Sequence, residues 1–274
     1  MATAMNIDDY DLPEARDLLA SFGSHRYGYA VTPNVDHIIR FHDDAHFREL
    51  YSDAAYVLLD SRFLAHILSL LRRQRLRVCL GSDLTTAMFK SVIKPLDQVI
   101  VVGGTAAQAA QLRQRFDLHS LHHIEPPMQL ITNPAAIDWC VDQIEALSPF
   151  RFCFLAVGSP QQEIIAQKLK ERDIARGLAL CVGAAIDFMT GAERRAPLWM
   201  QHMGLEWLFR LVQRPGRMAK RYLVRGPRIF LLLPFLKLRL RVRAASPADP
   251  KISTSQATAV IADPRTLGPQ QTLT

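Results

Sequence analysis

The sequence predicts an α/β fold in which helices cover both faces of a parallel sheet. Short apolar runs alternate with helical segments of roughly 10–15 residues, the pattern of repeated strand–helix–strand units. The short runs are apolar at nearly every position, as strands are when both of their faces are buried. Each run also stops abruptly at a polar or glycine-bearing turn. Five such turns stand out: Thr32-Pro33-Asn34, Asp60, Gly81-Ser82-Asp83, Gly103-Gly104-Thr105 and Gly158-Ser159-Pro160.

Residues 1–12 read as a loose lead-in. A helix starts near Pro13, whose fixed φ suits a first turn, with Glu14 and Asp17 close to its positive end. Tyr27–Val31 is the first strand, and Asp44–Ser52 is helical. Ala55–Leu59 is a short strand that delivers Asp60, and Ser61–Arg75 returns as a helix. Leu76–Leu80 reads as a strand, followed by a helix from about Leu84 to Ile93. Gln98–Val102 is a strand and the next helix runs to about Phe116. Ala135–Leu147 is a helix, Phe150–Val157 a strand, Ile164–Arg172 a helix, and Leu178–Val182 the last strand. Beyond Gly183 the pattern changes. Pro197 to about Val224 reads as helix interrupted by Pro215, with no strand after it. Residues 244–274 are rich in Ser, Thr, Ala, Pro and Gln and read as a disordered tail. The expected organisation is an α/β domain over 1–195, a basic amphipathic appendage over 196–243, and the tail.

Composition narrows the function classes. Of 274 residues, 49% are hydrophobic and 22% charged, which excludes a largely disordered chain. Cys79, Cys140, Cys153 and Cys181 form no C-x-x-C pair and read as buried free thiols, not a zinc site. The apolar run Ile229–Leu236 contains Pro234 and is too short to span a bilayer core. Met1–Asp11 is polar and does not read as a signal peptide, so a cytoplasmic location is expected. From Trp207 to Ala248 there are eleven Lys and Arg and no acid; taking eleven charges from a net of +7 leaves the rest at −4. One segment therefore carries the whole excess, as a surface for an anionic partner would.

Ligands of an open α/β sheet bind beyond the carboxyl ends of its strands. All five turns belong to that edge. Glycines there allow close backbone approach, and the following helix N-termini favour anions; taken singly, each glycine also suits a tight turn. Gly103-Gly104-Thr105 does not continue as a dinucleotide fingerprint, and no P-loop occurs. The only D-x-D, Asp9-Tyr10-Asp11, lies in the lead-in and reads as solvated acid. Asp60 follows Tyr56-Val57-Leu58-Leu59 directly, so two readings stand: a general base carried out of an apolar strand, or the N-cap of the next helix. His122-His123 does not suit a metal site, and His37, His42 and His46 are left unassigned. Arg210, Arg214, Arg217, Arg221 and Arg225 recur at steps of 4, 3, 4 and 4, one stripe on a helix. Such a stripe suits phosphates. The adjoining apolar run and Lys237, Arg239, Arg241 and Arg243 favour an interfacial membrane contact over nucleic acid.

Several pieces together resemble the WecG/TagA/CpsF glycosyltransferases. They are Val182-Gly183-Ala184-Ala185-Ile186-Asp187-Phe188, Gly191, Arg194-Arg195-Ala196-Pro197, Gly204-Leu205-Glu206-Trp207-Leu208-Phe209-Arg210-Leu211, Arg214-Pro215 and Arg221-Tyr222. Upstream, Thr32-Pro33-Asn34-Val35-Asp36-His37, Gly81-Ser82-Asp83-Leu84, Gly103-Gly104 and Gly158-Ser159-Pro160-Gln161-Gln162-Glu163 agree. The resemblance implies a Rossmann-like, mostly parallel sheet with helices on both faces and a C-terminal helical membrane-docking appendage. It implies inverting, metal-independent transfer of N-acetylmannosamine, its uronic acid or another hexose from a UDP-sugar. The acceptor would be a sugar on undecaprenyl diphosphate, at the inner face of the cell membrane, in polysaccharide synthesis. Asp60 becomes the general base. Thr32 and Asn34 match sugar- and base-site positions, and Gln162 and Asp187 match nucleotide-holding ones. Gly81, Ser82, Gly103, Gly104 and Gly158 belong to the binding turns, and Arg214, Arg221 and Arg225 to the phosphate-contacting region. No cofactor or metal is implied, an anionic membrane surface is the expected partner, and a homo-oligomer is compatible. Two departures are Leu59-Asp60-Ser61, where the family usually has Ala-Asp-Gly, and Gln161, where it usually has Lys. The rival readings are a family member with weakened catalysis that serves polysaccharide assembly, and a nucleic-acid-binding protein using the basic stripe.

Overall fold

The computed structural model of the chain describes residues 4–72, 75–127, 130 and 133–241. Strand β1 (Met5–Asp8) precedes helix α1 (Leu12–Ala20). β2 (Tyr27–Val31), α2 (Val35–Asp43), α3 (Ala45–Ser52), β3 (Tyr56–Val57) and α4 (Arg62–Arg72) follow. The middle runs α5 (Gly81–Ser91), β4 (Val99–Val102), α6 (Ala106–Phe116), β5 (Leu121–Ile124), α7 (Pro134–Ala146), β6 (Phe152–Leu155), α8 (Gln161–Arg172) and β7 (Gly177–Cys181). The C-terminal part holds α9 (Ala185–Thr190), α10 (Leu198–His202), α11 (Glu206–Gln213), α12 (Pro215–Ala219), a π-helical segment (Lys220–Arg225), α13 (Arg228–Leu232) and β8 (Leu238–Arg241).

Six strands form one parallel sheet in the order β3-β2-β7-β6-β4-β5. Strands β2, β4, β6 and β7 are buried at every position, which is why their sequences lack alternation. On one face, Ile38, Leu50, Leu64, Cys140 and Ile165 pack from α2, α3, α4, α7 and α8, joined by Ile229 of α13. On the other, Leu19, Leu84, Leu112 and Ile186 pack from α1, α5, α6 and α9. The fold is thus α/β, with a parallel sheet flanked by helices, as the sequence predicted. All four cysteines are buried and free.

A second, two-stranded sheet pairs β1 with β8 in parallel, from Met5 opposite Leu238 to Asp8 opposite Arg241. Asp8 is 1% exposed. Its carboxylate accepts the Val57 N–H at 2.7 Å and an Arg241 guanidinium N–H at 3.0 Å. One acid therefore satisfies the outer edge of β3 and anchors the C-terminal strand, so that edge is not left open for another chain.

Several expectations are corrected. The expected loose lead-in contains β1, and a strand does follow the appendage helices. Both are short, and each needs the other as its partner across more than two hundred residues, which no local pattern reveals. α2 was not anticipated; Asn34 caps it through the Asp36 N–H at 3.0 Å. β5 was also missed. It places His122 and His123 on opposite faces of an edge strand, and His123 contacts the Gly103 carbonyl at 3.2 Å. Leu76–Leu80 forms no ladder; Cys79 N–H bonds Leu59 O at 3.0 Å, and that is the only backbone bond from the run to its neighbour among the described residues. The expected helix over 197–224 is broken into four segments. The stretch from 244 onward lies outside the described residues.

Asp8→Ala leaves the buried Val57 N–H without its acceptor and takes a carboxylate from Arg241. Denaturant unfolding should show a loss of about 3–5 kcal/mol. Asp8→Asn, which keeps an acceptor oxygen, should lose less.

Candidate functional site

A cavity of about 550 Å³ opens at the carboxyl ends of β2, β3, β6 and β7. The core provides its floor and one wall, and α11, the π-helical segment and α13 roof it.

Asp60 is held there by its backbone. Past β3 the chain stays extended along β2, with Leu58 N–H bonding Val31 O and Asp60 N–H bonding Pro33 O, both at 2.9 Å. Ser61, not Asp60, caps α4: its Oγ accepts the Leu64 N–H at 3.1 Å. The two readings of Asp60 are thereby separated. The cap is made by its neighbour, and the Asp60 carboxyl lines the cavity. Burial pushes its pKa up from 3.8 to about 8, with Glu206 adding to the rise. Arg210, a hydrogen bond from the Gly81 backbone and Arg195 oppose it. Gly81 is required by close approach: a Cβ there would lie 2.8 Å from Thr32 Oγ1. Thr32 itself donates to Cys181 O at 3.1 Å, which ties the β2 turn to β7.

One wall is cationic. Asp36, in the first turn of α2, pairs with Arg40 at 3.0 Å, Arg221 at 3.9 Å and Arg225 at 4.0 Å. Arg221 also donates to Asn34 Oδ1 at 3.0 Å. Three arginines around one carboxylate leave a surplus of positive charge, and Arg40 and Arg221 both line the cavity. The π-helical turn helps to place Arg221: Gly226 N–H bonds Arg221 O at 2.9 Å, and a Cβ on Gly226 would sit 2.7 Å from Tyr222 O. Between Arg40 and Arg221, buried His37 is kept neutral; burial, then Arg221 and Arg40, lower its pKa to about 3.

The floor is polar and the roof aromatic. Gln162 is 3% exposed; its Oε1 accepts the Gly183 N–H and its Nε2 donates to Glu163, both at 2.9 Å. Above, the ring of Trp207 lies 6.4 Å from Phe63 and 6.0 Å from Tyr222, and Phe63 lies 6.3 Å from Phe230.

Of the residues singled out by sequence, Thr32, Asn34, Asp60, Ser82, Gly158, Gln162 and Arg221 line this cavity. Gly81 sits just behind Thr32. The Gly103-Gly104 turn does not reach it, because β7 and β6 separate β4 from β2; Gly103 packs on the Ala156 carbonyl instead. Asp187 accepts from Gln108 at 2.9 Å. Arg214 pairs with Glu193 at 2.9 Å, and Arg225 with Asp36, so neither lines the cavity. His37, Arg40 and Arg62 line it but carried no assigned role. Arg40 stands four residues after Asp36, a spacing that pairs charges only once the segment is recognised as a helix.

Comparison with known families adds one finding. A family model described as "Glycosyl transferase WecG/TagA/CpsF family" matches residues 2–244.

The raised pKa of Asp60 has a stability consequence. Its pKa is 3.8 as an ordinary carboxyl and about 8 in the fold. Between those values the folded chain holds the extra proton, so this group's contribution to stability falls as pH rises through the window. Asp60→Asn should melt above the parent chain at pH 9, and calorimetry should show the gap closing toward pH 4.

Proposed function

The chain belongs to the WecG/TagA/CpsF glycosyltransferase family, and we propose that it is an inverting transferase with a UDP-sugar donor. The sugar goes to an acceptor carried on undecaprenyl diphosphate, at the inner membrane face, in cell-surface or exopolysaccharide synthesis. The observation that carries this reading is Asp60: a cavity-lining carboxylate of raised basicity, relieved of capping by Ser61 and opposite a cationic wall.

In the reaction, Asp60 takes the proton of the acceptor hydroxyl. The oxygen forms a bond to the anomeric carbon from the face opposite UDP, the bond to the diphosphate oxygen breaks, and UDP departs with the electron pair. Configuration inverts. Charge growing on the diphosphate is met by Arg40 and Arg221 and by the N-terminus of α8 beyond Gly158-Ser159. Transfer here uses protein cations in the place where many sugar-nucleotide enzymes hold a divalent metal. Thr32, Asn34 and Gln162 stand where a nucleotide sugar would contact the core. Trp207, Tyr222 and Phe230 close the site from above.

No helix among the described residues is long and apolar enough to cross a membrane. The roof has the character of an interfacial contact: Leu223, Phe230, Leu231 and Phe235 are each more than half exposed, beside Lys220, Arg228 and Lys237. The arginine stripe suits nucleic acid less well. Arg210 and Arg214 face Glu193, and Arg221 and Arg225 face Asp36.

Calorimetric titration with UDP in EDTA should give micromolar binding for the parent chain and for Asp60→Asn. Turnover of Asp60→Asn should fall about 10²–10⁴-fold. Since the base must be ionised, kcat/KM of the parent should drop tenfold per unit below about pH 8. Unchanged turnover in Asp60→Asn removes Asp60 from the base role. Arg221→Ala should weaken UDP at least about tenfold, the size of one charge-assisted hydrogen bond.

A further inference from the structure

We propose that Glu163 is a positioning residue for the cavity: its carboxylate fixes the orientation of the Gln162 amide, and through it the Gly183 turn, so that one amide N–H is presented to the ligand.

Glu163 follows Gln162 in α8 and is 0% exposed. A carboxyl so placed costs stability unless it meets a partner or serves a purpose. No basic side chain forms an ion pair with it among the described residues. Its Oε1 accepts Gln162 Nε2–H at 2.9 Å, and the Ser159 hydroxyl and the Glu163 backbone N–H are its other hydrogen-bonding neighbours. Gln162 in turn has only one workable orientation. The Gly183 N–H is a donor, so the amide must offer it oxygen; Glu163 accepts, so the amide must offer it nitrogen. An amide nitrogen carries two N–H groups. One is spent on Glu163, and Gln162 lines the cavity. The same strut joins the turns after β6 and β7, both of which form the floor.

The surroundings of Glu163 explain why its charge matters. Tyr51 of α3, Tyr29 of β2, Cys181 of β7, Ser159 on the preceding turn and Arg40 of α2 face it. Tyr29 already donates to Leu50 O at 2.9 Å, and Cys181 to Gln162 O at 3.5 Å. Arg40 is engaged by Asp36. Burial raises the Glu163 pKa from 4.5 to about 7. Above that value the ionised carboxylate is the stronger acceptor for Gln162; below it the neutral acid holds the amide less firmly. The floor therefore stiffens as pH rises through 7.

The test uses the full chain with Glu163→Leu, which loses the acceptor, and Glu163→Gln, which keeps one oxygen but no charge. Hydrogen exchange without ligand should show the Gly183 amide exchanging about tenfold faster in Glu163→Leu, with Val101 of β4 unchanged and Glu163→Gln near the parent. UDP binding should weaken about tenfold in Glu163→Leu at pH 8 and within about threefold in Glu163→Gln. This second arm rests on the glycosyl-transfer reading. Asp60 titrates in the same range, but it is common to every variant. The ratio of parent to Glu163→Gln affinity should therefore rise from about one at pH 6 to about three at pH 8. Should Glu163→Leu not fold, that ratio decides. If the parent does not bind UDP, the glycosyl-transfer reading fails and Gly183 exchange alone decides. Unchanged Gly183 exchange in Glu163→Leu, or parallel pH curves for the parent and Glu163→Gln, would overturn the proposal.

Discussion

The cavity depends on Asp36. It occupies the first turn of α2, where a carboxylate also complements the helix dipole. From there it gathers Arg40 of the core and Arg221 and Arg225 of the π-helical segment. That ion cluster fixes one side of the roof, and Glu193 does the same on the other through Arg210 and Arg214. Apolar packing alone would not set this register, because many of the roof's hydrophobic side chains point outward. A buried carboxylate is costly to desolvate, and three guanidinium groups offset that cost while leaving net positive charge beside the cavity. The same contacts thus dock the appendage and give the site its sign.

Around Asp60 the division of labour is between neighbours. Helix α4 needs an acceptor at its first turn, and a carboxylate there would satisfy it. Ser61 meets that need with a neutral hydroxyl. The carboxyl is then free to face the cavity, where burial and Glu206 raise its basicity. A glycine at this place would offer no such side-chain cap, so Ser61 fixes the start of α4 directly beside the Asp60 carboxyl.

Much of this was legible in the sequence. The parallel sheet was readable because doubly buried strands are continuously apolar, as in Val99–Val102 and Phe152–Leu155. Asp60 was readable because it ends such a run. What escaped had its cause far away in sequence. β1 and β8 are each four residues long, and each finds its ladder partner in the other. The reach of the Gly103-Gly104 turn depended on strand order, which no local pattern encodes. The arginine stripe had the right spacing for a helix face. Its partners, Asp36 and Glu193, lay on segments where spacing gave no reason to look, and Glu163 was quoted only as part of a motif.

The pairing of β1 with β8 also bears on how the chain acquires its structure during synthesis. Met5–Asp8 leaves the ribosome first among the described strands, yet its partner Leu238–Arg241 emerges more than two hundred residues later. Until then Asp8 lacks Arg241, and the β3 margin lacks its full cover. The nascent polypeptide therefore carries an exposed sheet border through most of translation, a state prone to association with other chains. The final latch closes only after the segment bearing the roof has been made. A chain truncated before residue 238 would therefore lack the strand that pairs with Met5–Asp8 at its opposite end.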